Sequence, residues 1–574
     1  MSSAPPEDRR AAPQPRSFDV IVVGSGAAGL TAALTARNRG LEVLVLEKEA
    51  TFGGTSARSG GWLWIPCNTL AVEAGVRDSI DAARTYLSHE AGNHFHAEKV
   101  DAFLENGPAM VDFLRRETAV EFFLGEEFPD YHPDSPGGMS GGRSIGTVPY
   151  DARELGPEIA RHGRPLRETT FLGMSIGSGT EIRHFFNVTR SLRSAVYVSR
   201  ILARYVGDLL RHGRGMRLTN GNALIARLVR SALDFGIPIW TSSPATGLIR
   251  DDAGAVRGVV VNNEGQISTI EARRGVILAS GGFSHDPART RQLYPHLGSA
   301  EHMSPTAPGV TGDGLRLGEA AGGQLGKALS NPAAWAPVSR VARRDGSVGL
   351  YPHFVDRPKP GIIAVTRNGR RFVNEANSYH DFVVALLAAC GGTGENAAYL
   401  ICDHAAIRRY GLGYAKPFPV PIGHHVRSGY LKRARTISEL AQRAGLDGQA
   451  LEYTIATYNE HARKGEDRQF GKGSTAYNRF LGDPGHRPNP CLAPIENGPF
   501  YAVKVFPADI GTYAGLETDR CARVLDTHGQ AVRGLYAVGN DAASVMGGNY
   551  PGGGITIGPG MTFGYVAANH LADG

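Results

Sequence analysis

The sequence predicts an α/β fold whose parallel sheet is assembled from both ends of the chain, with an α+β region inserted between them. Three observations carry this. An apolar run at residues 18–23 leads through Gly24-Ser25-Gly26-Ala27-Ala28-Gly29 into an Ala/Leu-rich helix. A second apolar run, 41–46, ends at Glu47. Near the other end, Gly534-Leu-Tyr-Ala-Val-Gly-Asn540 leads to Gly547-Gly-Asn-Tyr-Pro-Gly-Gly-Gly-Ile-Thr-Ile-Gly558 and a last helix.

Strand, glycine turn and helix in this order form a Rossmann-like dinucleotide unit. Gly24 permits the tight turn, Gly26 lets backbone approach a pyrophosphate, and Gly29 lets helix and strand pack closely. The helix N-terminus offers free N–H groups and a positive dipole end to phosphates. Glu47 follows Gly24 by 23 residues. An acid there accepts hydrogen bonds from a ribose 2′-OH and disfavours a 2′-phosphate, so NADP is not expected.

The next stretch continues from that acid as Glu47-Lys-Glu-Ala-Thr-Phe-Gly-Gly-Thr-Ser-Ala-Arg-Ser-Gly-Gly61. Gly53 and Gly54 allow close backbone approach, and Thr55, Ser56 and Ser59 supply hydroxyls. It resembles the segment that flavoproteins of the fumarate reductase and 3-ketosteroid dehydrogenase superfamily wrap along the pyrophosphate and flavin. Further blocks match that superfamily in order: Gly275-Val-Ile-Leu-Ala-Ser-Gly-Gly-Phe283, Thr311-Gly-Asp-Gly314 and Arg367-Asn-Gly-Arg-Arg-Phe-Val-Asn-Glu375. The resemblance runs from residue 17 to the end. It implies noncovalent FAD, held by Gly24, Ser25, Gly26, Ala28, Gly29, Glu47, Lys48, Gly53, Gly54, Thr55, Ser56, Ser59, Gly60 and Gly61. It adds Ala245, Ala279, Gly281, Asp313, Gly539, Asn540, Gly554, Ile555 and Thr556 to that set.

At 574 residues the chain is too long for one core. The cofactor domain is expected at 17–300 and 495–574, the substrate domain at 301–494, and a disordered polar tail at 1–16. Strand-like 361–365 and helix-like 437–444 and 451–462 fall in the insert. Much of the glycine, 75 residues in all, sits in the motif blocks rather than in low-complexity runs. A net charge of +6 fits an anionic cofactor and is too diffuse for nucleic acid. Five cysteines at 67, 390, 402, 491 and 521 form no CxxC, which argues against zinc ribbons, iron–sulfur sites and c-type haem. With no signal-like or spanning apolar run, a reducing cytoplasm is the simplest compartment. Residues 151–217 are expected as a helical excursion. Within it, 192–217 interleaves apolar residues with Arg193, Arg200, Arg204, Arg211, Arg214 and Arg217. Such a helix packs on protein or lies on a membrane surface.

Three tyrosines stand in motif-rich contexts. Tyr550 precedes Gly554 by four residues, Tyr379 follows Asn374-Glu375, and Tyr131 sits in Phe-Pro-Asp-Tyr-His-Pro. These positions resemble the catalytic tyrosines of 3-ketosteroid Δ1-dehydrogenases. The resemblance implies α,β-dehydrogenation of a cyclic ketone, first of all a 3-ketosteroid, with electrons passed to a quinone or similar acceptor. Tyr379 is the expected base, Tyr550 and Gly554 the carbonyl-polarising pair, and Tyr131 an assistant. A tyrosine base needs a lowered pKa, or else a rate that climbs toward alkaline pH. Three rivals stand beside this, one of them a flavin-binding protein with no redox turnover, against which the complete tyrosine set argues. A fumarate reductase-like enzyme would carry an arginine where Tyr379 stands and Arg/His clamps for a dicarboxylate. A desaturase of a smaller ring such as cyclohexanone would use the same tyrosines. The Tyr-Pro-Gly-Gly-Gly turn departs from the Tyr-Pro-Gly-Pro-Gly usual in steroid enzymes, and Trp62, Trp64 and Trp335 either narrow a pocket or belong to the core.

Overall fold

A computed structural model describes residues 17–263, 265–294, 302–326, 329–391 and 395–574. The expected tail 1–16 lies outside the described residues.

The strand Ser17–Val23 is buried along residues 20–23, so both its faces are covered, as in a parallel sheet. It pairs in parallel with Val43–Leu46 on one side and with the second half of Gln266–Leu278 on the other. Ala531–Ala537 lies beyond Gln266–Leu278, also parallel, so strands from both ends of the chain are neighbours. Ile239–Trp240 and Arg523–Leu525 complete this row. Val256–Asn263 and Ala245–Arg250 continue from the first half of Gln266–Leu278 as an antiparallel meander. Val23, Leu46 and Leu278 end in register, which gathers their carboxyl ends at one edge, where open α/β sheets bind ligands.

The opening helix Ala27–Asn38 and the closing helix Ile557–Asp573 pack backbone to backbone. A Cβ on Gly564 would lie 2.5 Å from the Ala28 carbonyl oxygen. A Cβ on Gly29 would lie 2.1 Å from the Gly24 oxygen, so helix and strand approach as the glycine pattern requires.

The insert builds a second sheet of six strands, in the order Val348–Pro352, Ala333–Ala342, Phe500–Thr512, Ala398–Cys402 and Ile362–Val365, with Lys432–Ala434 also paired to Phe500–Thr512. Helices Ile437–Ala444 and Gly448–Lys464 pack their buried faces on it. Two expected boundaries move. Phe500–Thr512, placed in the cofactor domain from sequence, is the central strand of the second sheet, so the chain returns to the first unit after Thr512. Helix Asp313–Ala320, placed in the insert, buries Leu315 in the second core but Leu317 against Leu278 and Leu535 of the first sheet. The basic helix runs Leu192–His212, stopped by a left-handed Gly213. Arg217 falls outside it and pairs with Glu181.

Candidate active site

A cavity of about 400 Å³ runs from the sheet edge at Glu47 to the boundary with the insert. At its first end the residues fit a dinucleotide. The N–H groups of Gly26 and Ala28, at the start of helix Ala27–Asn38, donate to no other described residue, while Ala27 N–H is held by Ser56 Oγ at 3.1 Å. Glu47 is buried at the cavity wall, where Ser25 N–H (3.2 Å) and Ser25 Oγ (2.5 Å) donate to one oxygen and Glu49 N–H (2.9 Å) to the other. Burial raises its carboxyl above the usual range, against these hydrogen bonds. Lys48 Nζ at the rim bonds Thr311 Oγ1 (2.7 Å) and Asp313 Oδ2 (2.5 Å).

Gly24, Ser25, Gly26, Ala28, Glu47, Lys48, Gly54, Thr55, Ser56, Ser59, Gly60, Gly61, Ala245, Ala279, Gly281, Asp313, Gly539, Asn540, Gly554 and Thr556 all line this cavity. Three expected cofactor residues do not. Gly29 is spent on helix–strand packing, and Gly53 has its N–H on Ser25 Oγ and its Cα against Ile225. Ile555 is buried in the core. Asp541, which sequence reasoning missed, shapes the turn: its carboxylate accepts from Ser280 N–H (2.5 Å) and Gly282 N–H (2.9 Å), and burial raises it to about 6.

Tyr131, Tyr379 and Tyr550 converge at the other end. Tyr131 donates its O–H to Tyr379 at 3.1 Å. The Tyr131 and Tyr550 rings stack at 5.4 Å, and Tyr550 meets Tyr379 edge-on at 4.9 Å. Local chemistry fixes each ring. Ser378 caps the helix Tyr379–Cys390 by accepting from Asp381 N–H, which starts that helix at Tyr379. Tyr131 N–H donates to the Pro551 carbonyl at 2.8 Å, tying its loop to the Tyr550 turn. His132 bridges Glu90 (2.5 Å) and Asp381 (2.8 Å) and is raised to about 10: burial opposes its charge, and the two carboxylates outweigh burial.

Gly554 has φ +105°, and a Cβ there would sit 2.4 Å from the Trp62 oxygen. Its N–H donates to no described residue, though Gly554 lines the cavity. Burial pushes the Tyr550 phenol up to about 12, so it stays a donor at neutral pH. Burial, then the Tyr131 and Tyr550 phenols, push Tyr379 well above its usual value.

Sequence reasoning missed Tyr477, whose ring lies 4.6 Å from Tyr131, and Phe354, 4.8 Å from Tyr379. Phe128, Leu481 and Ile510 complete an apolar wall. Trp62 lines the cavity, whereas Trp64 and Trp335 are core residues. A Cβ on Gly553 would lie 2.6 Å from the Phe128 ring, so Phe128 takes the space a proline at 553 would need.

The FAD binding domain family profile matches residues 19–557. The chain belongs to that family. The flavoprotein is 44% identical, over 96% of its length and 93% of the relative, to 4-oxocyclohex-2-ene-1-carboxylate 5-dehydrogenase of Sinomonas cyclohexanicum. It is 38% identical to 3-oxosteroid 1-dehydrogenase of Mycobacterium tuberculosis, over 97% and 99%. The crystal structure of 3-ketosteroid delta1-dehydrogenase from Sterolibacterium denitrificans, in complex with 1,4-androstadiene-3,17-dione, superposes with a TM-score of 0.90 at 36% identity, covering 97% of this chain and all of that one. The flavoprotein is thus an FAD-dependent oxidoreductase acting on CH–CH groups.

Proposed function

We propose that the flavoprotein dehydrogenates a cyclic ketone beside its carbonyl. The convergence of three buried phenols with the unused Gly554 N–H carries this reading. A fumarate reductase-like enzyme would carry an arginine where Tyr379 stands, and a buried phenol occupies that place. FAD supplies the two-electron hydride acceptor. The chain's residues do the rest. Tyr550 O–H and Gly554 N–H hold the ketone oxygen and the negative charge that develops on it. Tyr379, as its anion, removes the α-proton, and Tyr131 donates a hydrogen bond to that anion. Phe128, Phe354 and Leu481 exclude water and orient the ring.

Because Tyr379 is raised rather than lowered, its anion is scarce at neutral pH and grows about tenfold per pH unit below its pKa. Flavin reduction in anaerobic stopped-flow is therefore expected to accelerate from pH 7 toward pH 10. Tyr379→Phe is expected to be about 10²–10⁴-fold slower and to lose that climb. A pH-independent wild-type rate would remove Tyr379 as the base.

A 3-ketosteroid is the first substrate class in this reading. A single-ring ketone is the second, favoured by Phe128 filling the space beside Gly553 and by the 44% relative that acts on a ring keto acid. Mixing the enzyme in parallel with 4-androstene-3,17-dione, 4-oxocyclohexanecarboxylate and succinate decides it: fast bleaching by one ketone names the class, and bleaching by succinate alone overturns the function. A quinone is the proposed electron acceptor.

Peripheral membrane contact belongs to the same reading. Leu192, Val196, Val206 and Leu210 are exposed on the helix Leu192–His212 beside exposed Arg193, Arg200 and Arg211. No described helix is long and apolar enough to cross a membrane. Co-flotation with anionic but not neutral liposomes is expected, and no flotation with either ends the idea.

A further inference from the structure

Arg357 is fully buried, yet it forms no ion pair within 4 Å among the described residues. Its Nε donates to the His353 carbonyl at 2.8 Å, and its Nη1 to the carbonyls of Glu375 (2.8 Å) and Asn377 (3.2 Å). Its Nη2 donates to nothing described. The neighbouring carboxylates are already engaged. Asp356 accepts from His353 and Gly413 N–H, Asp381 pairs with His132, and Glu375 pairs with Arg371. The Tyr477 phenol also lies in the field of the guanidinium and, when ionised, favours its charge.

Those contacts place Arg357 between the parts of the site. The loop 352–357 carries Phe354 against Tyr379. The carbonyls of Glu375 and Asn377 belong to the segment that delivers Tyr379. The helix Ala476–Leu481, which carries Tyr477, is laced to the same segment by Asn478 Nδ2 on Asn377 Oδ1 (3.2 Å) and Asn374 Nδ2 on Asn478 Oδ1 (2.9 Å). A buried cation is costly unless negative charge faces it. Here the facing group is the last of a row of phenols, Tyr379–Tyr131–Tyr477, which is negative only when the row has lost a proton.

We propose that Arg357 is a positioning residue for the desaturation: it locks the Phe354 loop to the Tyr379 segment, and its charge, acting through Tyr477 and Tyr131, keeps more of the Tyr379 phenol ionised at a given pH. This rests on Tyr379 being the base. In the step concerned, the α C–H bond breaks and a Tyr379 O–H bond forms. The electron pair left behind makes the enolate held by Tyr550 and Gly554, and the β-hydrogen leaves as hydride to FAD, giving the C=C bond. Tyr477 is faced by Arg357, Asp381, Tyr131 and Tyr550. Tyr379 is faced by Tyr131 and Tyr550, with the His132–Asp381 pair and the neutral His380 on its own helix. Burial already disfavours the Tyr477 anion, and the Arg357 charge works against that burial.

The test uses the FAD-loaded enzyme and the ketone that bleaches it. Arg357→Met is expected to move the alkaline climb of flavin reduction up by about one pH unit, a tenfold loss at pH 8, with KM changed less than about twofold. Arg357→Lys should recover much of that shift. Tyr477→Phe, which leaves the arginine and its backbone bonds in place, should move the climb the same way, and adding Arg357→Met to it should move it no further. A FAD-loaded Arg357→Met whose climb stays where the wild type's is overturns the proposal. Should Arg357→Met fail to fold, an unmoved climb in Tyr477→Phe overturns it instead. Failure of the base reading looks different: the climb would then persist in Tyr379→Phe.

Discussion

Tyr550→Phe is expected to keep FAD and lose turnover at least tenfold, and about 10²–10³-fold where its hydroxyl acts as a full oxyanion donor. Phenylalanine retains the stacking on Tyr131 and the edge contact with Tyr379, so packing is preserved and the loss reports the O–H alone. That hydroxyl is held neutral by burial, and removing it leaves Gly554 N–H as the single donor of the pair. Steady-state kcat together with the FAD absorbance of the purified variant checks this. Unchanged kcat would take Tyr550 out of the reaction, and loss of FAD would make it a structural residue.

Arg371→Met carries the largest expected effect on stability. The Arg371, Glu375, Asp467 and Lys472 side chains are essentially excluded from solvent, and Arg371 bonds both carboxylates at 2.8–3.0 Å. Removing it leaves two buried carboxylates facing one lysine, a loss of about 3–5 kcal/mol. Burial works to raise both acids. The Arg371 hydrogen bonds and charge overcome it, holding Asp467 down to about 2 and Glu375 below its usual value. Folded pKa values below the unfolded ones stabilise the protein above about pH 4, and that stability is lost as pH falls toward 2. In Arg371→Met the carboxyls are no longer held down, so the deficit in urea midpoint should be widest near pH 8 and shrink toward pH 5. A deficit independent of pH would assign the cluster to packing.

Much of the cofactor end was legible because its chemistry is local. Gly24, Gly26 and Glu47 occupy fixed steps along one strand–turn–helix–strand unit, and the backbone alone sets where they fall. The tyrosines were legible only through neighbours: Tyr379 by Asn374-Glu375, and Tyr550 by the glycines after it. Tyr477 and Phe354 have no such anchors. They reach the cavity through non-local packing, on a short helix and on a loop held by Arg357, so no spacing announces them. Phe500–Thr512 reads as a strand in any setting. Which sheet it joins depends on its pairing with Ala333–Ala342 and Ala398–Cys402, which is tertiary information. Gly29 keeps the helix–strand packing that its motif gives it, and the missing side chain of Gly53 makes room for Ile225 and Ala57.

The pairing of Gln266–Leu278 with Ala531–Ala537, and of the first helix with the last, has a consequence for biosynthesis. During translation the glycine turn at Gly24 emerges early, but its cavity lacks a wall until the final helix is made. At roughly 5–20 residues per second that interval is about half a minute to two minutes. Throughout it, Ala28 and Ala32 lack the close cover that Gly564 gives them. The part of the cavity wall that Thr556, Ile557 and Gly560 supply is therefore missing until those residues are made.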